Sequence, residues 1–253
     1  MDPSHYSDIS QIKVPYDVVS LPSQGIFYVN KVKEVKITYL NASDENLLSS
    51  PSIVKSGNLI DGLLKRKVVG GELRVEEMLD CDKQALLIFL RNTAYGPSYE
   101  FTLTDPKTNT NFTHTHDLSN VKIKDFTLKA DSNGEFDYIF PQTKKKIKFK
   151  FLNSQQENEL TNLDEQYHNG QITPIATRRL ELLIQEIEGE RDLGKLSEMI
   201  QTMPIRDSQE FKKYVWNNQP GLDLSVTVKA PSGEDITTSV VFGAHFFRSF
   251  FGV

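Results

Sequence analysis

The sequence predicts an α+β fold in which helical elements accompany an antiparallel sheet of hairpins. Three observations carry this prediction. Apolar residues recur with the helical period of about 3.6 up to residue 98, with a period of 2 over 99–151, and again with the helical period from about 155. The order is therefore helices, strands, helices and a last hairpin. We expect this C-terminal hairpin to join the central sheet or to pack on it.

The chain begins with an arm and a strand. Residues 1–20 are polar and contain two prolines, which predicts an extended N-terminal arm rather than a packed element. LPSQG at 21–25 predicts a turn in which Gly25 takes a positive φ. EVKITYL at 34–40 alternates as a half-buried strand does.

Three helices complete residues 21–98, which we expect to be a mainly helical part. Ser43 can cap the first helix, and acidic residues follow it in the first turn. Asp80 or Asp82 caps the third helix, which ends at Tyr95-Gly96-Pro97. The apolar stripes of the second and third helices are Leu59, Ile60, Leu63, Leu64, Leu86, Leu87, Phe89 and Leu90.

Residues 99–152 read as antiparallel β-hairpins. FTLTDPKTNTNFTHTHDL at 101–118 alternates, turns at TDPKTNT and returns. Two further strands are GEFDYIF at 134–140 and KKKIKFKF at 144–151. In the last of these the even-numbered lysines share one face and the aromatic residues share the other, as in a strand with one solvated face.

Residues 153–216 form the second helical part. Thr173 caps a helix whose apolar stripe continues to Ile187, and a shorter helix follows it. Asp207 and Glu210 make a start that resembles a capping box. Residues 217–253 then form a C-terminal hairpin and an aromatic tail, so the whole chain makes one or two compact domains.

Composition describes a globular protein that is made and kept in a cytoplasm. The chain has 253 residues, of which 38% are apolar and 25% charged. No apolar run reaches the ~20 residues that span a bilayer, and the N-terminus lacks the pattern of a signal peptide. The single cysteine, Cys81, excludes an internal disulfide and a multi-cysteine zinc site.

Charge is unevenly distributed. The net charge of -5 argues against a nucleic-acid-binding protein, which normally has a basic excess. Residues 121–150 contain eight Lys against four Asp and Glu, a balance of +4, whereas 155–203 contain four Arg and Lys against ten Asp and Glu, a balance of -6. This polarity predicts electrostatic docking between parts of the chain or between subunits, with two unrelated solvated faces as the alternative.

Two histidines on one strand raise the question of a metal site. His114 and His116 are two positions apart and therefore point the same way. Zinc needs at least a third protein ligand, and the sequence places none nearby, although Asp117, His168 or His245 are available. We interpret the pair as solvent-facing polar residues on a hairpin, with a metal site as the weaker alternative.

Other catalytic patterns are missing from the sequence. Neither a G-x-S-x-G elbow nor a phosphate-binding glycine loop occurs. Cys81 lies at a helix start, where a thiol pKa can be lowered, but a structural cysteine is the commoner case. The lysine face at 144–150 is the one nucleic-acid candidate, and its aromatic residues lie on the opposite face from the lysines. We expect no enzyme, no catalytic residue and no cofactor.

The sequence instead contains candidate residues for protein–protein interaction. Five phenylalanines crowd the last twelve residues, and exposed aromatic side chains favour burial or another protein. We expect the first three to enter the core. Arg91 and Tyr95, one helical turn apart, can brace the helix end against Tyr99. The interface candidates are Phe250, Phe251, Arg91, Tyr95, Tyr99, Lys146 and Lys148.

Several motifs in this order resemble the baseplate hub subunits of T-even-like tailed phages, the myoviruses. The best block contains Asp82, Leu86, Leu87, Arg91, Tyr95, Gly96 and Tyr99. The resemblance covers most of the chain except about 125–205. The matching stretches are LPSQGIFY at 21–28, SDENLL at 43–48, GNLIDGLLKRKV at 57–68, LDCDKQALLIFLRNTAYGPSYEF at 79–101, DLSNV at 117–121, NNQPGLDL at 217–224 and the closing HFF.

This resemblance implies a structural or assembly component of the central hub of a contractile tail baseplate. Its partners would be other hub proteins in an oligomeric assembly, in the host cytoplasm during assembly and in the virion. From the composition we expect no membrane partner and do not favour a nucleic-acid partner. The family offers no catalytic residues, and its relatives often carry a Cys-x-x-Cys pair where this sequence has TDPKTN. Two alternatives remain: a hub-associated metal-dependent hydrolase that uses His114 and His116, and a sheet-based nucleic-acid binder.

Overall fold

The structure is a computed structural model that describes residues 14–50, 59–167 and 172–248. Its α+β architecture confirms the predicted fold class, because helices alternate with four small antiparallel sheets. One hydrophobic cluster draws buried residues from both helical parts and from the hairpins. In the described part of the chain, no helix is long and apolar enough to cross a membrane.

The first sheet includes residues 16–20, which were predicted to belong to an extended N-terminal arm. Strand β1 (Tyr16–Ser20) pairs antiparallel with β2 (Glu34–Thr38), and the short strand β3 (Val68–Val69) pairs with the other edge of β2. The end of the predicted arm is therefore a paired strand, because its β-branched valines suit the vacant edge of β2. Residues 1–13 lie outside the described residues.

Helix α1 (Ala42–Leu48) is capped by Asn41 and not by Ser43. The Asn41 side chain accepts a hydrogen bond from Ser43 N at 3.0 Å, and Asp44 accepts one from Asn41 N at 2.9 Å. This capping box satisfies two backbone donors reciprocally. Asn41 has the extended backbone that an N-cap requires (φ -134°), whereas Ser43 is already helical.

Helices α2 (Leu59–Lys67) and α3 (Asp80–Tyr95) supply most of the N-terminal core. The N-cap of α3 is Leu79, so neither Asp80 nor Asp82 caps this helix. Asp82 lies on the buried side of the helix instead. The predicted end is confirmed, because Gly96 takes a φ of 82° that stops the helix.

Two sheets follow. Strands β4 (Ser98–Thr104) and β5 (Asn111–Asp117) form one hairpin. Strands β6 (Phe136–Ile139) and β7 (Lys146–Phe149) form a second, to which β8 (Ile184–Ile187) is added.

The second helical part contains α4 (Ser154–Gln166), α5 (Ile175–Leu183), α6 (Leu193–Gln201) and α7 (Ile205–Asn218). Helix α5 ends before the predicted stripe does, because Ile184 and Ile187 pair with β7 as strand β8. Its N-cap is Pro174 and not Thr173. The predicted cap of α7 also differs: its N-cap is Pro204, and the Asp207 carboxylate accepts from Gln142 N and Thr143 N of the β6–β7 turn.

The C-terminal hairpin consists of β9 (Ser225–Lys229) and β10 (Asp235–Ser239), and the short helix α8 (Ala244–Arg248) follows. Of the two expected arrangements, the hairpin packs and does not join another sheet, since β9 and β10 form their own two-stranded sheet. Its inward valines, Val226 and Val228, belong to the common hydrophobic cluster.

Candidate functional site

A tight loop at residues 21–31 begins the candidate site. Gly25 has a φ of 70°, as predicted, and a Cβ at this position would lie 2.6 Å from Lys31 O and 2.7 Å from Val32 O. Both neighbours are backbone atoms and cannot move aside. Only glycine therefore fits where the two ends of the loop meet.

Asp82 fixes this loop to the start of α3. Its carboxylate accepts hydrogen bonds from Ser23 N at 2.9 Å and from the Tyr28 hydroxyl, and the Tyr28 oxygen accepts one from Leu79 N at 2.9 Å. The Asp82 side chain is fully buried. Burial raises the pKa of Asp82 by more than these hydrogen bonds lower it, and burial also raises the pKa of Tyr28.

The loop is fixed a second time by Phe27. The Phe27 ring lies 5.3 Å from Phe126, 5.6 Å from Phe136 and 5.5 Å from Phe151, measured between ring centroids. The contacts with Phe126 and Phe151 are edge-to-face and the contact with Phe136 is tilted, and such geometries are typical of packed aromatic side chains. The loop is thereby packed against the segment around residue 126 and against the second hairpin.

An open groove of about 1220 Å³ runs between this loop and residues 128–134. Its lining includes half-buried apolar side chains from both walls, such as Ile26 and Leu128. Val29, at the tip of the loop, is 100% exposed. An open groove with mixed polar and apolar lining beside an exposed valine is suited to protein interaction.

Lysines make this groove electropositive. Lys31, Lys33 and Lys129 line it, and none of them has an ion-pair partner among the described residues. Lys150, also in the lining, lies 3.9 Å from Glu135. Two of the lining carboxylates, by contrast, are already held by cations, Glu77 by Arg74 and Asp131 by Lys148.

Arg91 and Tyr99, predicted as interface candidates, are buried and brace the fold. Arg91 is 1% exposed and Tyr99 8%. The guanidinium donates to Phe246 O at 3.1 Å, to Gly96 O at 2.8 Å and to Ser98 O at 2.6 Å, and it lies 5.1 Å from the Tyr99 ring centroid. Burial lowers the pKa of Arg91. The predicted brace between helix and strand is present, but these two side chains cannot reach a partner.

Other predicted aromatic residues have mixed outcomes. Tyr95 is half-buried. Phe246 and Phe247 are buried and Phe242 is half-buried, in agreement with the expected core role of the first three tail phenylalanines. Phe250 and Phe251 lie outside the described residues.

His114 and His116 do not face solvent as expected. They lie opposite Phe101 and Tyr99 in the β4–β5 register, so all four side chains share the inward face, and both histidines are half-buried. Phe112 lies on the same half-buried face two residues earlier, and this alternation with an aromatic residue was the sequence signal that the histidines face inward. Across the described ranges, no cluster of three or more His, Cys, Asp and Glu side chains is suited to a metal ion.

The turn of this hairpin is held by Asp105, which sequence reasoning missed. The buried Asp105 carboxylate accepts from Ser232 N at 2.9 Å and from Ser232 Oγ at 2.7 Å, so it joins the β4–β5 and β9–β10 turns. It also accepts from Lys107 N at 2.9 Å within its own turn. The two hairpins are therefore tied at their tips.

This tie is expected to depend on pH. Burial alone would raise the pKa of Asp105, but hydrogen bonds from Ser232, Lys107 and Thr108 outweigh it and hold the pKa below the ordinary value. The stabilisation is then complete above the unfolded pKa of about 3.9 and is lost as pH falls through the lower folded pKa. We expect the Ser232 amide resonance to titrate with a midpoint below 3.9.

The Asp105→Asn variant should abolish that titration, and Asp235→Asn on the same hairpin should leave it unchanged. A Ser232 midpoint at or above the unfolded value would contradict the assignment.

The lysine face divides into two halves. Lys146 is exposed, whereas the Lys148 ammonium lies 2.6 Å from Asp131 and 3.4 Å from Asp137. The Lys148 ammonium is already paired with carboxylates, so Lys148 is not available to bind a phosphate backbone. This arrangement argues against the alternative of a sheet-based nucleic-acid site.

The two oppositely charged segments meet within the chain. Lys148 lies opposite Glu186 in the β7–β8 register. The ion pair across the two segments runs the other way, since Arg191 of the acidic segment lies 2.7 Å from Glu135 of the basic segment. The two segments therefore pair in one sheet, and electrostatic docking between subunits stays a prediction.

Cys81 is unsuited to nucleophilic chemistry. It is 5% exposed, and burial raises its pKa well above the ordinary value, with the charge of Asp82 adding to the effect. The thiolate form that reacts is therefore suppressed at neutral pH.

The site was only partly visible in the sequence. LPSQG predicted a turn with a positive φ at Gly25, but Ser23 and Tyr28 lie 59 and 54 residues from their common partner Asp82, which no local pattern connects. Comparison with protein-family models, curated proteins and solved structures finds no match to this chain.

Proposed function

We propose that this chain is a structural or assembly component of the central hub of a contractile phage tail baseplate, and that it acts by protein–protein association and not as an enzyme. It would bind other hub proteins in an oligomeric assembly, in the host cytoplasm and then in the virion. The observation that supports this proposal is the fixed, lysine-rimmed groove beside the LPSQGIFY loop.

The motifs behind the resemblance also meet in space. LPSQGIFY contacts the helix of the LDCDK block through Asp82, and the same helix holds the HFF block through Arg91. Residues far apart in the chain thus form two buried anchors of one fold. This arrangement supports reading the motifs as parts of one architecture.

Exposed apolar side chains on several elements give further support. Isolated examples are normal, but edge strand β1 presents two of them in alternation, Tyr16 and Val18, and Val14 continues the pattern just before the strand. Pairing with another chain is favoured at such an edge. Large apolar residues that are at least 49% exposed lie at β1, at the tip of the 21–31 loop and on α7: Val14, Tyr16, Val18, Val29, Ile205 and Trp216.

The test is sedimentation of a tagged copy of the chain in infected cells. We expect it to migrate with hub intermediates, and mass spectrometry of intermediates and purified virions to identify its neighbours. An unrelated tagged protein of similar size provides the control. A chain that sediments strictly as a monomer, and is missing from both hub intermediates and tails, would overturn the proposal.

A further inference from the structure

Residues 125–130 have the side-chain pattern of a strand. Asp125, Thr127 and Lys129 are exposed, whereas Phe126, Leu128 and Ala130 alternate with them, are half-buried and pack on the hydrophobic cluster. Alternation of this kind is typical of an extended segment with one face on a core. These residues nevertheless belong to no sheet.

The backbone of this segment has no backbone hydrogen-bond partner within the described part of the chain. Lys124 N donates to Gly221 O at 2.9 Å just before it, and Asp131 N donates to Glu135 O at 2.9 Å just after it. Between them, no backbone N–H or C=O group of 125–130 is hydrogen-bonded to the backbone of the described ranges. An extended run of such groups is a template for another strand.

The same segment lies at the groove. Leu128, Lys129 and Ala130 form part of one wall, opposite the loop that Asp82 and Phe27 hold in place. The groove volume of about 1220 Å³ exceeds the ~300–1,000 Å³ of most small-molecule pockets. An open groove of this size has room for an extended peptide, which advances ~3.3 Å per residue.

Charge indicates the chemistry of the occupant. Three lining lysines, Lys31, Lys33 and Lys129, lack ion-pair partners among the described residues. Of the lining glutamates and aspartates, Glu72 alone has no ion-pair partner in those residues. A segment that carries carboxylates would therefore complement the rim. Half-buried Ile26 and Leu128 would contact its apolar side chains.

We propose that the groove binds an extended segment of a partner protein in which acidic and small apolar residues alternate, and that this segment adds as a β-strand to residues 125–130. Its carboxylates pair with the three lysines. This inference rests on the proposed function and names the chemistry of one partner segment.

A nucleic acid fits less well. Its phosphates are acceptors and offer no donor to the carbonyl groups of 125–130, and single strands are held largely by stacking on aromatic rings. The nearby aromatic rings are engaged elsewhere, since Phe27 and Phe151 pack on each other at 5.5 Å and Phe151 is 9% exposed.

The test uses a fluorescein-labelled octapeptide of alternating Glu and Val, with fluorescence anisotropy as the readout on the full chain. A Lys/Val octapeptide of the same pattern controls for charge. A Glu/Val octapeptide with alternate backbone N-methyl groups controls for strand addition, because it cannot donate along one edge. A labelled octathymidine tests nucleic acid.

The matched variants carry equal charge changes. The triple variant Lys31→Glu, Lys33→Glu, Lys129→Glu should bind the Glu/Val peptide about tenfold or more weakly, as expected from three exposed ion pairs. The control variant Lys122→Glu, Lys144→Glu, Lys145→Glu changes exposed lysines outside the groove lining and should stay within about twofold of the parent.

Several results would overturn the inference: no saturable binding of the Glu/Val peptide, equal binding of the N-methylated peptide, stronger binding of octathymidine, or equal losses in the two triple variants. The N-methylated peptide is tested on the unaltered chain, so this arm does not depend on variant folding. Peptide binding without entry into hub intermediates would refute the proposed function alone. If the chain and its groove variant both enter hub intermediates and the Glu/Val peptide does not bind, the proposed groove ligand is refuted and the proposed function is not.

Discussion

Replacing Arg91 with alanine is expected to lower the free energy of unfolding by about 4 kcal/mol, because it empties a buried site and leaves three backbone carbonyls without donors. Those carbonyls belong to Gly96, Ser98 and Phe246 and therefore join the end of α3, strand β4 and helix α8. Urea unfolding followed by far-UV circular dichroism measures the change. The midpoint should fall at an unchanged slope.

Two further variants separate volume from hydrogen bonding. Arg91→Met fills much of the same space but donates nothing, so we expect a loss of about 2 kcal/mol. Arg91→Lys keeps the charge but cannot present the planar fork of donors, so it should also be destabilised. A methionine variant as stable as the parent would show that the three hydrogen bonds of Arg91 do not stabilise the fold.

Replacing Asp82 with alanine is expected to cost about 3 kcal/mol, since it leaves the buried donors Ser23 N and Tyr28 Oη without an acceptor. The loop should lose its attachment to α3, and amide hydrogen exchange of Ser23 should accelerate more than that of the β6–β7 sheet. The control is Asp80→Ala, at an exposed position two residues earlier, with an expected loss within about 1 kcal/mol.

The Asp82 carboxyl also gives a pH signature of known sign. Burial raises its folded pKa above the unfolded value of about 3.9, so the folded state holds the proton to higher pH. Its contribution to stability therefore decreases as pH rises from the unfolded pKa through the raised folded pKa. Asp82→Asn should remove this decrease from the unfolding free energy measured against pH. A decrease that persists in the asparagine variant would assign it to another group.

The local sequence pattern predicted which helices and strands are present better than it predicted where they begin and end. The period change near residue 99 located the β4–β5 hairpin, and the apolar stripe located α3. Asn41 and Ser43 are both good N-caps, however, and only the backbone conformation decides between them. Ile184 and Ile187 extend a helical stripe equally well, and the vacant edge of β7 decides that they form a strand.

Long-range polar contacts account for most of what the sequence did not predict. Asp105 and Ser232 are 127 residues apart, and Asp82 and Ser23 are 59 apart. Each acidic residue looks locally like a turn or cap residue, because Asp is common at both places. The groove depends on these contacts as well, so its lysines could be recognised as a set only in the folded chain.

The hydrogen bond from Arg91 to Phe246 spans 155 positions of the chain, which has a consequence for the timing of synthesis. At the usual elongation rate of ~5–20 residues per second, roughly 8 to 30 seconds pass between the synthesis of the two residues. During that interval the growing chain exposes the surface around Tyr99 that Phe246 later covers. The speed of translation, and not the equilibrium stability, then sets how long the unfinished core is accessible to chaperones or to aggregation.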